Sequence, residues 1–292
     1  MDNRTLHSFL SLADTLHFSR AASACHMSPS TLSRSIKQLE TNLGVRLFER
    51  DNRSVSLTTE GELFRRYARE SLALYESFHN SLMDETRELT GEISMYCSVT
   101  ASYSFLFELL TEFRERHPRI RIKLQTGDPE QAVARVVSGE AQISIGARPA
   151  RVPPALAFKP ITTTPLVFIA PRGEADMAHV PEQVTMSEWA DVPMILPEAG
   201  VARERIDRWF RARNITPRVW AQVAGNEAIV SMVSLGDGVG IVPRIVLQNS
   251  PLAERVRTLT VTPQLEALEV GLFVLNRGLT NRVIEALWRA TA

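Results

Sequence analysis

Residues 18–50 read FSRAASACHMSPSTLSRSIKQLETNLGVRLFER, and the spacing within them decides the N-terminal fold. Two helical patterns flank a turn at 26–29. In the first, Phe18, Ala21, Ala22 and Cys25 recur at helical intervals. In the second, Leu32, Ile36, Leu39 and Leu43 form one apolar stripe at i, i+4, i+7 and i+11. Ser28 suits the N-cap. Pro29 suits the first helical position, where a missing N–H loses no intrahelical bond, and Gly44 supplies a C-terminal stop. The opposite face of the second helix carries Ser30, Arg34, Lys37 and Thr41, flanked by Thr31, Ser33 and Gln38. Small hydroxyls at the helix start permit close approach to base edges in a major groove. The two cations reach guanine edges or phosphates. Taken alone, the spacing fits an amphipathic helix with a solvated polar face equally well.

The continuation favours the nucleic-acid reading. Residues 45–58, VRLFERDNRSVSLT, alternate as two short strands around a polar turn at 51–54, with Val55 and Leu57 inward and Arg50 and Arg53 beside the turn. A helix-turn-helix followed by a basic hairpin is a winged helix-turn-helix, and such a wing tracks backbone phosphates. The candidate DNA contacts are Arg20, Ser28, Pro29, Ser30, Thr31, Ser33, Arg34, Lys37, Arg50 and Arg53. A first helix over 5–16, with Leu6, Phe9, Leu10 and Ala13 inward, completes a three-helix core.

Beyond the wing, 59–88 contains no proline, and its one glycine, Gly61, lies near its start. Phe64, Tyr67, Ser71, Leu74, Phe78 and Leu82 recur at steps of three and four. That is a heptad-like seam on a helix of about 30 residues, roughly 45 Å long. A helix of that length with one apolar seam requires a partner chain, so 59–89 is expected to be a dimerising linker. Thr90 and Gly91 end it.

From residue 92 strands and helices alternate. Strands are predicted at 93–98, 120–125, 141–146, 166–170, 194–196, 219–223, 239–242, 256–261 and 268–275. Helices are predicted at 102–116, 129–138, 181–189, 202–213, 227–236 and 281–290, with a loop at 149–154. The alternation predicts parallel sheets covered by helices on both faces. There are more units than one sheet needs. The expectation is therefore two α/β subdomains, 90–162 with 266–292 and 163–265, with chain crossings near 160–165 and 263–269. The fold class is α/β: a winged helix-turn-helix at 1–58, a long linker helix, and a two-subdomain Rossmann-like effector domain of the periplasmic-binding-protein type at 90–292.

Ligands in such folds lie at the carboxyl ends of strands, against helix N-termini. Ser98, Thr100, Ala101 and Ser102 offer hydroxyls and orphan N–H groups to a carboxylate. Thr126, Gly127 and Asp128 offer close backbone approach and an acceptor for a ligand hydroxyl. Asn226 and Glu227 open a helix of the other subdomain, as do residues 200–203. Arg148 and Arg203 are the cations best placed to meet a carboxylate. Each Ser, Thr or Asn here also serves as an ordinary helix cap, and each arginine as a surface charge.

The formal net charge is zero, so nucleic-acid binding must rest on a local patch. Cys25 and Cys97 make no metal-spaced set and read as reduced core thiols. The start MDNRTLHSFL lacks the basic and apolar regions of a secretory signal, and no apolar run approaches the roughly 18 residues of a membrane span. A cytoplasmic protein with no membrane partner is expected. There is no metal-binding set, GxSxG or P-loop. Most of the histidines (His7, His17, His26, His79, His117, His179) fall in the DNA-binding or linker part. No catalytic residue, metal or cofactor is therefore expected. The competing class is a two-subdomain enzyme or solute binder carrying an incidental N-terminal extension.

The pattern AAxxxHMSPSTLSRSIKQLExxLGVRLFERxxRxVxLTxxG, within about 6–61, resembles the N-terminal signature of LysR-type transcriptional regulators. The resemblance implies a double-stranded DNA operator, a small carboxylate effector, and dimers that pair into homotetramers. It also implies contact with RNA polymerase if the protein activates. The stretches LTGEISMYCSVTASYS, IKLQTGDPEQAVARVVSGEAQISI, VARERIDRWFRARNI and GNEAIVSMVSLGDGVGIVP resemble one branch of that family. That branch activates the acetohydroxy acid reductoisomerase gene of isoleucine and valine biosynthesis, which implies 2-acetolactate or 2-aceto-2-hydroxybutyrate as inducer. Each carries a carboxylate, a tertiary hydroxyl, a ketone and a short apolar group. A hydroxyl-rich helix start with an acceptor opposite suits that set, and suits other small hydroxy or keto acids too. A regulator of another pathway sensing a different carboxylate is the alternative.

Overall fold

The structure is a computed structural model that describes residues 2–50, 54–81, 89–172 and 188–291. Arg53, Leu82 and most of the helix expected at 181–189 lie outside the described residues. The chain forms two compact units, one built on Met1–Arg87 and one on Glu88–Val137 with Ala141–Ala292.

The N-terminal unit opens with α1 (Asn3–Thr15), α2 (Phe18–Ala24) and α3 (Pro29–Leu43). Asp2 caps α1 by accepting from the Thr5 N–H at 2.8 Å, and Ser28 caps α3 by accepting from the Thr31 N–H at 3.1 Å. Gly44 ends α3 at φ +71°, a left-handed conformation that glycine adopts without steric cost. Leu32, Ile36 and Leu39 are buried with Leu6, Phe9, Leu12, Ala21 and Ala22. Leu43 departs from the expected stripe. It is exposed, because the last turn of α3 runs past the edge of this small core.

The wing is β1 (Phe48–Arg50) paired antiparallel with β2 (Val55–Leu57). The first strand begins at Phe48 and not at 45. Residues 45–47 instead form the turn off α3, held by Glu40, whose Oε1 accepts from the N–H groups of Leu47 (2.9 Å) and Phe48 (3.1 Å). The long helix α4 (Thr59–Ser81) presents two stripes where the sequence suggested one. Phe64, Ala68 and Leu72 face the core, and the Phe64 ring meets Phe9 edge-on at 4.7 Å. Leu63, Tyr67, Leu74 and Phe78 lie on an adjacent stripe and are exposed. Phe64 therefore belongs to the helix-turn-helix core and not to the seam.

The C-terminal unit contains β3 (Gly91–Cys97), α5 (Val99–Arg116), β4 (Ile120–Thr126), α6 (Ala132–Val137), β5 (Ile143–Ala147), β6 (Leu156–Thr164) and β7 (Leu166–Pro171). There follow β8 (Pro193–Pro197), α7 (Gly200–Arg211), β9 (Arg218–Val223), α8 (Asn226–Ser234), β10 (Val239–Pro243), α9 (Arg244–Gln248), β11 (Val256–Leu259), β12 (Leu268–Leu275) and α10 (Arg282–Ala290). Two five-stranded sheets result, ordered β4-β3-β5-β12-β6 and β9-β8-β10-β7-β11. Each begins with the same arrangement of three parallel strands, β4-β3-β5 and β9-β8-β10. Neither sheet is wholly parallel as expected. In the first, β12 runs antiparallel to both its neighbours, β5 and β6, and in the second β7 runs antiparallel to both β10 and β11.

The chain leaves the first sheet at Thr164 and enters the second at Leu166, so one proline makes the crossing. It returns between Leu259 and Leu268. The predicted helix over 129–138 is split, with a 3-10 turn at Pro129–Gln131 leading into α6. Cys97 is a buried free thiol whose burial pushes its pKa up to about 11, which makes it inert. Cys25, expected in the core, is only half-buried. Among the described residues no helix is long and apolar enough to cross a membrane.

Candidate nucleic-acid interface and effector cleft

The start of α3 is a cluster of hydroxyls. Ser28 Oγ lies 2.9 Å from Ser30 Oγ and 2.8 Å from Thr31 Oγ1, and all three residues are exposed, as is Pro29. Arg34 and Lys37 stand exposed further along the same helix, Ser33 is half-buried beside them, and Arg20 is exposed on α2. Small polar groups at the helix tip with cations behind them match the docking of a recognition helix, whose N-terminal residues read bases while flanking cations meet phosphates. Arg50 is engaged internally instead. Its guanidinium pairs with Glu40 at 2.9 Å and stacks over the Phe18 ring at 5.1 Å. It fixes the wing to α3, which removes it from the simple role of a free phosphate contact.

In the second unit the carboxyl ends of the parallel strands face one another across a cleft. Ser98 caps α5, its Oγ accepting from the Ala101 N–H at 3.1 Å, and Ser98, Thr100 and Ala101 are all buried. The Ser102 hydroxyl donates to the Val99 carbonyl at 2.6 Å. Thr100 donates from both its N–H (2.9 Å) and its hydroxyl (2.5 Å) to Oε1 of Glu227, which reaches over from α8. The predicted anion position at this helix start thus holds a carboxylate of the protein itself.

Thr126 is exposed. Gly127 is required by its own subdomain, since a Cβ there would lie 2.6 Å from the Tyr96 hydroxyl. That hydroxyl donates to the Asp128 carbonyl at 2.8 Å. The Asp128 side chain caps the 3-10 turn by accepting from the Glu130 N–H at 3.2 Å.

A cavity of about 300 Å³ lies in the cleft. The first subdomain contributes Ala132, Val133, Ala147, Pro149 and Leu268 to its apolar wall, and the second contributes Pro197, Val201 and Ala202. Asp128 and Asn226 line it as the sequence suggested, with Gly200 and Gly225. Neither α7 nor α8 has a side-chain cap on its first turn. Ser98, Thr100, Ala101, Ser102, Thr126, Gly127 and Glu227 do not line this cavity.

Arg148 and Arg203 are not brought to the cavity either. Arg148 pairs with Glu269 at 2.8 Å and lies over Phe158. Arg203 donates to Asp207 (2.9 Å) and to the Pro197 carbonyl (2.8 Å). An arginine with a carboxylate one helical turn away was visible in the sequence, and for Arg203 that local partner prevails. The lining cation is Arg151, which the sequence reading passed over as part of a loop. Glu130 was also missed. Its Oε1 accepts from the Ala199 N–H at 2.9 Å across the cleft, and burial raises its pKa above the ordinary glutamate value.

A winged helix-turn-helix joined to a clefted pair of α/β subdomains defines a class: DNA-binding regulators with a small-molecule-binding domain. The particular family follows from comparison with known proteins. Residues 3–62 match the family described as "Bacterial regulatory helix-turn-helix protein, lysR family", and residues 86–292 match the "LysR substrate binding domain". The chain belongs to the LysR family of transcriptional regulators. It is 42% identical over 294 residues to the transcriptional activator IlvY of Salmonella typhimurium, covering 99% of each chain. It is 40% identical over 289 residues to IlvY of Haemophilus influenzae, with the same coverage. Among solved structures it resembles a full-length, singly substituted OxyR from Pseudomonas aeruginosa (TM-score 0.71, 22% identity, 100% of this chain and 94% of that one). It also resembles full-length CbnR complexed with its target DNA (TM-score 0.67, 21% identity, 100% and 99%). At those identities the structures speak to the fold.

Proposed function

We propose that this chain is a cytoplasmic transcriptional activator that switches on the acetohydroxy acid reductoisomerase gene when 2-acetolactate or 2-aceto-2-hydroxybutyrate enters its cleft. It would act as a dimer or pair of dimers in contact with RNA polymerase. The observation that carries this reading is the 42% identity to IlvY along 99% of both chains, which spans the effector domain as well as the DNA-binding motif. The cleft is compatible with it. A cavity of about 300 Å³ sits at the lower end of ligand-pocket sizes, its wall is largely apolar with Arg151 set among Asp128, Glu130 and Glu204, and the helix N-termini that open onto the cleft supply the means to hold one carboxylate.

The test is calorimetric titration of the full-length protein with both acetohydroxy acids and with pyruvate, which lacks the tertiary hydroxyl. A site built around that hydroxyl leaves a polar group unpaired with pyruvate, at a cost of roughly 1–3 kcal/mol, or about 5- to 150-fold in affinity. Both acetohydroxy acids should bind, and pyruvate should bind more weakly by that factor. Binding of an unrelated carboxylate, with no heat from either acetohydroxy acid, would leave the family intact and discard the inducer.

A further inference from the structure

Among the described residues, three polar contacts away from the crossing segments span the cleft of the C-terminal unit. Glu227 of α8 accepts from the Thr100 N–H and hydroxyl at the start of α5. Glu130, in the first subdomain, accepts from the Ala199 N–H immediately before α7. Asn249 Nδ2 donates to Ser104 Oγ at 3.1 Å. The two glutamates make a reciprocal exchange, in which a carboxylate from each subdomain sits on the helix start of the other. Gly200 admits Glu130, because a Cβ there would lie 2.6 Å from Glu130 Cγ.

The first-turn N–H groups of α5 have few alternatives. The Ala101 N–H is taken by Ser98 Oγ and the Ser102 N–H by the Ser98 carbonyl. The Thr100 N–H, one of the orphan donors of a helix start, finds its acceptor in Glu227. That end of the helix also favours negative charge, so the glutamate gains from the helix dipole as well as from two hydrogen bonds. A ligand carboxylate arriving at α5 needs the same N–H, the same hydroxyl and the same dipole.

We propose that Glu227 is a built-in competitor for the effector's carboxylate. It holds the α5 start while the cleft is empty of ligand, and an acidic effector must displace it to bind there. This rests on the reading of the cleft as the effector site, and it seats the effector's carboxylate at the α5 start, which adjoins the cavity through Asn226 and Glu227, the first residues of α8. Displacement breaks one of the contacts that join the subdomains, so occupancy of the site is coupled to their relative position. The competitor also selects among ligands. A neutral molecule cannot replace the charge that leaves, whereas a carboxylate restores both hydrogen bonds and the favourable dipole interaction.

The experiment titrates 2-acetolactate into full-length wild type, Glu227→Gln and Glu227→Ala. Both substitutions remove the charge, and alanine also removes the acceptor, so affinity should rise about tenfold or more in the order wild type, glutamine, alanine. Equal or weaker binding in both variants would overturn the proposal and would make Glu227 a ligand contact or a bystander. If no protein in the series responds to an acetohydroxy acid, it is the inducer assignment that fails. The competitor is then judged by hydrogen exchange at the Thr100 amide without ligand. That exchange should speed up at least tenfold in Glu227→Ala while the neighbouring Ala101 amide, capped by Ser98, stays slow. An unchanged Thr100 rate would overturn the proposal by that route.

Discussion

Placing aspartate at both Leu63 and Leu74 should convert the protein to monomers. The two leucines lie on the outward stripe of α4, next to the stripe that packs on the helix-turn-helix core, and remain 55% and 71% exposed within one chain. Completely burying a leucine stabilises by about 1.5–3 kcal/mol. The area still open on these two therefore represents roughly 2–4 kcal/mol per chain once a partner covers it, and roughly 4–8 kcal/mol for a symmetric pair of helices. At 1.4 kcal/mol per factor of ten, losing that contribution weakens association by roughly three to six orders of magnitude, before any cost of enclosing four carboxylates. The intrachain core should tolerate both changes, since Phe64, Ala68 and Leu72 face the other way. Sedimentation equilibrium reads the outcome: a monomer mass at micromolar concentration, with an unchanged circular dichroism spectrum. A folded variant that keeps the wild-type mass would refute the assignment of this stripe to the interface.

Other perturbations separate the two units. Arg34→Ala should cost about 1–3 kcal/mol of operator binding and relax sequence preference if the side chain reads a base, as competition gel shifts with operator and random DNA would report. Gly61→Ala should destabilise the N-terminal unit by about 1–3 kcal/mol through overpacking. A Cβ there would lie 2.1 Å from the Leu47 carbonyl oxygen and 2.8 Å from Leu57 Cδ2. DNA binding should fall and effector titration stay as in wild type, and loss of both would contradict the independence of the units. Glu130→Gln keeps the acceptor for the Ala199 N–H and removes a charge that burial disfavours. Because the folded pKa of Glu130 is raised, the ionised form is penalised above the ordinary value of 4.5. The variant should melt higher than wild type at pH 7, with the difference closing as pH falls through the mid-4s; a lower melting temperature at pH 7 would show that the charged hydrogen bond outweighs desolvation.

The N-terminal unit was legible because its signals are local. Caps, a proline at the first helical turn, a stop glycine and a four-residue apolar step each act within one element. The strand β6 was not legible. Its sequence, LAFKPITTT, holds Pro160 and lacks regular alternation, which demotes a strand. It survives as a sheet edge, where the missing N–H costs no ladder bond, and the register with β12 shifts between Val270 and Gly271, opposite that proline. The two stripes of α4 merged into one seam because steps of three and four cannot say which side finds a core. The cleft divides the same way. Ser98 as a cap follows from sequence neighbours, whereas Glu227 and Glu130 find their partners on another subdomain. Arg203 shows the opposite case: its partner Asp207 lies four residues away in the sequence, and its side chain turns to that partner and not to the cavity.

On the proposed function, a small acid in the cleft governs how this protein holds its operator. The decisive experiment is nuclease footprinting on the region upstream of the acetohydroxy acid reductoisomerase gene, with and without 2-acetolactate. Wild type should protect that region in both conditions and show a changed cleavage pattern when 2-acetolactate is added. Thr100→Val, which loses the hydroxyl and nearly keeps the shape, should show normal protection but a diminished response. Absence of protection on that region, or a wild-type pattern indifferent to saturating 2-acetolactate, would contradict the proposed function.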